Sequence, residues 1–165
     1  MMEAPDYLQA IAGCRAWMVA PNLWSQMGGI LWATAQVEPW KTGEDIVAHC
    51  HVNPDHVPPV EDCACGIYAY YHPLALLWHR QSFEDSIHVT GVVSGWGDVL
   101  LHESGFRAQC ARVEAIFDHH LMPHVELPIT KEEIAEAYGA EVIAPTEYEE
   151  FCQSRDLVII DESAL

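Results

Sequence analysis

Residues 87–108 read IHVTGVVSGWGDVLLHESGFRA, and this stretch decides the fold class. Ile87, Val89, Gly91, Val93, Val99 and Leu101 fall on one side of a two-residue repeat, the period of a strand. Gly95 and Gly97 flank Trp96 and predict a bulge or bend there. Ser104-Gly105 is a hairpin signal, so the return strand starts at Phe106. The phase of that strand slips between Cys110 and Val113, which predicts a second bulge or an end.

Working outward, residues 14–20 suit a first strand stopped by Pro21-Asn22, residues 30–35 another, and Asp45 to Cys50 an extended segment. Residues 51–65 hold Asn53-Pro54, Pro58 and Pro59 and read as a loop. Gly66 to Tyr71 is a short apolar stretch. Pro73 fits the first position of a helix whose apolar stripe is Leu74, Leu77 and Trp78. Residues 118–128 form a His- and Pro-containing loop. Thr130 with Glu133 forms a capping-box pattern; Ile134, Ala135 and Tyr138 give that helix an apolar side, and Gly139 closes it. Glu141 to Ala144 suits a strand, Pro145 opens a short helix to about Gln153, and Leu157 to Ile160 suits an edge strand. The expected class is α+β: a mainly antiparallel sheet or small barrel with about three helices and a zinc-clipped loop. Residues 1–165 form one domain, with the loop at 50–65 and an acidic segment at 131–165.

The strongest chemical signal is Cys50-x5-His56-x6-Cys63-x-Cys65. Three thiolates and one imidazole make a complete tetrahedral donor set for zinc. The intervening loop is polar and Pro-rich, so metal binding would supply its folding free energy. A closed Cys3His set points to a structural role. The single residue between Cys63 and Cys65 is tighter than the spacing of a zinc knuckle, and His49 or His51 can substitute for His56. Other readings of the same residues are free cysteines in a loop, a redox pair Cys63/Cys65, or a catalytic zinc with Glu61 or Asp62 as base. Cys14, Cys110 and Cys152 read as small apolar filler.

The chain carries 25 acidic against 7 basic residues, a formal charge of −18, and the basic residues do not cluster. Direct nucleic-acid binding, which draws its affinity from a basic patch, is disfavoured. Residues 131–162 hold ten acidic and two basic residues, a net −8. Such a face suits a basic protein partner, or simply solvation. No apolar run reaches the ~20 residues of a membrane helix, and the N-terminus lacks the basic start of a signal peptide. The expected location is the cytoplasm, with reduced thiols.

The blocks Cys50…His56…Pro59…Cys63-Ala64-Cys65-Gly66-Ile67-Tyr68-Ala69 and Gly91-x4-Trp96-Gly97-x-Val99-x2-His102-Glu103-x-Gly105-Phe106-Arg107-Ala108 resemble an uncharacterised group of small actinobacterial and phage proteins. Cys14-Arg15-Ala16-Trp17 and Tyr138-Gly139 resemble its ends, so the likeness spans about residues 14–144. It reinforces the zinc set and implies no activity. His119-His120-x3-His124 has no counterpart in the pattern and reads as solvated loop.

Trp96, His102, Glu103 and Arg107 are the remaining candidates. On adjacent strands His102, Glu103 and Arg107 can bind an anion or do acid–base work; the plainer reading is a hairpin with Arg107 paired to Glu103 or another acid. No Ser/His/Asp constellation or phosphate-cradling Gly loop stands out. Trp24, Trp32 and Trp40 recur every eight residues, as core or as an exposed partner patch. The expected function is a zinc-stabilised, acidic protein-interaction or regulatory module, phage-derived and acting on a basic host protein. The alternative is a small enzyme of unknown reaction.

Overall fold

The computed structural model of the chain describes residues 9–20, 29–34, 38–78, 88–118, 127 and 129–161. Along these run β1 (Ile11–Val19), β2 (Leu31–Ala33), β3 (Pro39–Trp40), β4 (Ile46–Val47), β5 (Ile67–Tyr70), α1 (Ala75–Trp78), β6 (His88–Leu101), β7 (Gly105–Phe117), α2 (Lys131–Tyr138), β8 (Glu141–Ile143) and α3 (Tyr148–Ser154). A 3-10 turn at Pro145–Glu147 leads into α3. The class is α+β, with one mostly antiparallel sheet of eight strands and three helices among the described residues. Only β8, beside β7, pairs in parallel among the named strands.

The hairpin β6–β7 is the spine. Its register shifts twice, between Val92 and Val93 and between Trp96 and Val99. At the second shift Gly97 takes φ 78°, the left-handed conformation that a bulge requires and glycine accepts. At the first, Glu114 is the extra residue of β7, one place beyond the Cys110–Val113 window read from the phase slip.

The pairings β1–β6, β6–β7, β7–β5 and β5–β1 return to their start, the last through Cys14 and Tyr70. Barrel width grows with strand number, and eight strands leave room for little more than side chains or one small ligand. A ring of four is tighter still. Its inside is filled by Phe106, and a Cβ on Gly13 would come 2.7 Å from that ring and one on Gly95 2.5 Å. Arg15, also on β1, donates to the Tyr68 carbonyl and lies 5.0 Å over the Trp40 ring.

Both faces of β1 are buried. Ile11, Trp17 and Val19 join one cluster with Trp40, Phe106 and Ile134, while Ala12, Cys14 and Ala16 join a second with Leu76, Phe117, Phe151 and Cys152. The second cluster lies under α3 and α1. In α2 the capping box forms as read, Thr130 accepting from the Glu133 amide and Glu133 from the Thr130 amide, and Gly139 closes the helix at φ 65°. At its C-terminal end the Tyr138 hydroxyl donates to the Trp40 carbonyl and accepts from the amides of Ile30, at 3.1 Å, and Leu31, at 3.0 Å. That one hydroxyl ties α2 to β2 and β3.

One expectation is corrected. The helix after Pro73 begins at Ala75, its described part runs to Trp78, and Pro73 lies in the turn before it. Leu74, which precedes the helix, and Leu77 are exposed, at 69% and 43%, and the helix buries Leu76 instead. Of the two readings of the spaced tryptophans, core packing holds for Trp32 and Trp40, and Trp40 meets Trp17 edge-on at 5.4 Å. Trp24 and the histidines 119, 120 and 124 lie outside the described residues, as do Ile87 and the end of the acidic tail.

Gly95→Ala is expected to lower unfolding free energy by about 1–3 kcal/mol, the usual cost of overpacking. Urea denaturation measures it. Phe106→Leu in the same chain should recover part of the loss, and strict additivity of the two changes would refute the packing account.

Candidate metal centre and adjoining groove

The loop between β4 and β5 forms no regular structure; most of its residues are exposed, but its cysteines and His56 turn toward one another. The donor atoms of Cys50, His56, Cys63 and Cys65 all lie within 4.8 Å of one another, close enough to hold a metal ion. Cys50 Sγ is 3.6 Å from Cys63 Sγ, and Cys65 Sγ is 3.4 Å from His56 Nε2. Cys50 and Cys65 are buried; His56 and Cys63 are half-buried. His56 completes the set. His49 and His51 are exposed, and His51 Nε2 sits 3.6 Å from a carboxylate oxygen of Glu38. All six cysteines are free thiols.

Backbone donors prepare the sulfurs. The Asn53 amide donates to Cys50 Sγ at 3.3 Å, and the Cys50 pKa is pushed down to about 6, chiefly by that bond. At Cys63 the Cys65 amide favours the thiolate, but the neighbouring Cys50 thiol and burial outweigh it and the pKa rises. Two adjacent thiols cannot both ionise freely, which is the situation a cation relieves. The Asn53 side chain accepts from the Asp55 amide at 3.1 Å, an Asx turn that fixes the first bend of the loop.

Arg107 of β7 holds the far side. It is 5% exposed. Its Nη1 donates to the carbonyls of Val60 at 3.3 Å, Cys65 at 3.1 Å, and Cys63. Its Nε donates to His102 Nε2 at 2.9 Å. The expected partner, Glu103 or another acid, is therefore replaced by loop carbonyls, because the strand register sets Arg107 opposite Tyr68, just beyond the Cys-Ala-Cys turn. Gly66, at φ 114°, lets the chain pass between Pro59 and Arg107, whose Cβ atoms lie 3.0 and 3.1 Å from where a Gly66 Cβ would stand.

An open groove of about 660 Å³ runs beside the loop, lined among others by Glu61, Asp62, Cys63, Tyr68, His102 and Arg107. Of the four hairpin candidates, the structure brings His102 and Arg107 together here. Glu103 is exposed and does not line the groove. Trp96 lies toward the other end of the hairpin, its ring 5.9 Å from the Arg112 guanidinium. No protein-family model, curated protein or solved structure matches the chain. No described helix is long and apolar enough to cross a membrane.

Desolvation, then the charge of Arg107, lowers the His102 pKa. A histidine that resists protonation only when folded contributes stability that is complete above its unfolded pKa, about 6.5, and is lost as pH falls through the folded value. Urea midpoints should therefore drop more steeply from about pH 6.5 to pH 5 in the wild type than in His102→Gln, which keeps an acceptor for Arg107. Parallel profiles would contradict this.

Proposed function

We propose that the chain is a zinc-stabilised, acidic module that works by binding a protein partner with a basic surface, in the reducing cytoplasm. The observation that carries the metal half of this reading is the convergence of Cys50, His56, Cys63 and Cys65. Thiolates about 2.3 Å from a tetrahedral centre stand about 3.7 Å apart, and sulfur–nitrogen pairs slightly less. Two of the six separations, 3.6 and 3.4 Å, match those edges, and all six lie within 4.8 Å. Three soft donors and one imidazole favour zinc over magnesium or calcium, which take oxygen. With four protein donors the metal keeps no open position, so its role is to order the loop.

Charge supports the partner half. The chain carries −18, and five of its seven cations are engaged internally. Arg112 pairs with Asp45 at 2.6 Å and Arg155 with Glu141; Lys131 donates to the Asp118 carbonyl, while Arg15 and Arg107 hold carbonyls of Tyr68 and of the metal loop. The outward field is left strongly negative, which favours encounter with a basic surface and opposes nucleic acid. The resemblance to actinobacterial and phage proteins fits a host protein as the target. Its two blocks are spatial neighbours, with Ile67 opposite Ala108 and Tyr68 opposite Arg107.

A small enzyme using His102, Glu103 and Arg107 is the second reading, favoured by the His102–Arg107 bond beside the groove. It has less support, since Arg107 commits its donors to the loop and Glu103 stands outside the groove.

Elemental analysis should give about one zinc per chain, and Cys63→Ser should lose it and melt at lower temperature. A metal-free wild type would end the metal reading. Once a binding protein is isolated, its affinity should fall steadily as salt rises, and a salt-indifferent affinity would end the electrostatic reading.

A further inference from the structure

A guanidinium stays charged at any working pH, and burying one without an opposite charge is unfavourable. Arg107 is buried, yet no carboxylate pairs with it among the described residues. What meets it instead is the metal loop, with the Tyr68 ring 5.6 Å away and His102 at its Nε. One nitrogen is shared among the carbonyls of Val60, Cys63 and Cys65, so it grips both ends of the Cys63-Ala64-Cys65 turn. The tight single-residue spacing brings both ligand residues' carbonyls onto one guanidinium.

We infer that Arg107 is the positioning residue and the internal counter-charge of the metal centre. The inference rests on the metal reading above and adds the group that completes it. Three thiolates, one neutral imidazole and a divalent ion sum to one negative charge. The single positive charge of Arg107 balances it. The carbonyl bonds fix the backbone on either side of Ala64, so two of the three sulfurs are set in place before the metal arrives. His102 helps orient the guanidinium by accepting from Nε at 2.9 Å. Outer partners of this kind are typically worth 10–100-fold in metal affinity.

Zinc affinity of the full chain is measured by competition with a chromogenic chelator. Arg107→Met, which keeps bulk and loses charge, should bind zinc about 10–100-fold more weakly. Arg107→Lys, which restores the charge without the planar fork, should recover part of that loss. Phe151→Leu, destabilised in the second cluster, which includes no residue of the loop and neither Arg107 nor His102, should hold zinc within about threefold of the wild type, well short of that range. Arg107→Met binding as tightly as the wild type, or Phe151→Leu weakened as much as Arg107→Met, would overturn the assignment. If Arg107→Met does not fold, Arg107→Lys decides alone: no loss, or a loss beyond about 100-fold despite retained charge, overturns it, and a measurable loss within that range supports it. A wild type that takes no zinc removes the metal reading, and this one with it. A wild type that binds, beside an Arg107→Met that binds equally, removes only the role of Arg107.

Discussion

The segment from Cys50 to Cys65 has little backbone pairing of its own. Its described main-chain bonds are one from the Cys63 amide to the Val60 carbonyl, and side-chain acceptors at Cys50 and Asn53 serve the Asn53 and Asp55 amides. Sixteen residues rich in proline and acid cannot bury enough apolar surface to offset the entropy of being ordered. The shape of the segment has to come from what its ends and ligands grip. Three sulfurs and an imidazole meet on one side, and a guanidinium collects carbonyls on the other.

This local problem reaches the rest of the fold because β5 begins two residues after Cys65. Where the loop is set, the register of β5 is set. Ile67 faces Ala108 and Tyr70 faces Gly105, and the same strand closes the ring onto β1 at Cys14. A slip of one residue would exchange Ile67 and Ala69, which are buried, with Tyr68, which is 46% exposed. The four-donor centre, the strand register and ring closure are therefore successive consequences of one constraint. Gly66 is the pivot between the first and the second.

Much of this was legible in the residues, where the information is local. The Val89–Leu101 alternation, the glycines about Trp96 and the Thr130/Glu133 box each specify backbone geometry within a few positions, and each is realised. The convergence of the donor set was legible for a different reason: four soft or borderline donors crowded into a segment with no core of its own, and they come within 4.8 Å of one another. What was not legible depends on distant partners. Nothing in the chain near Arg107 says that its neighbours will be carbonyls 42 to 47 positions earlier, rather than the adjacent Glu103. Tyr138 reaching Ile30 and Leu31, and buried Lys131 capping the Asp118 carbonyl, are of the same kind. The stripe assigned to Leu74 and Leu77 failed because periodicity did not reveal that the helix begins after Leu74 and turns Leu76 inward.

The ring closed by β1, β5, β6 and β7 has Phe106 for its axis, and Gly13 and Gly95 yield their places to it. Such a ring has no lumen. Unlike wider barrels that house a ligand at their centre, it serves as a solid spindle, and any site the molecule carries lies on the windings around it. Sequence change on that outer surface is then free to drift without disturbing the axle, whereas the axle itself leaves little room for a larger side chain.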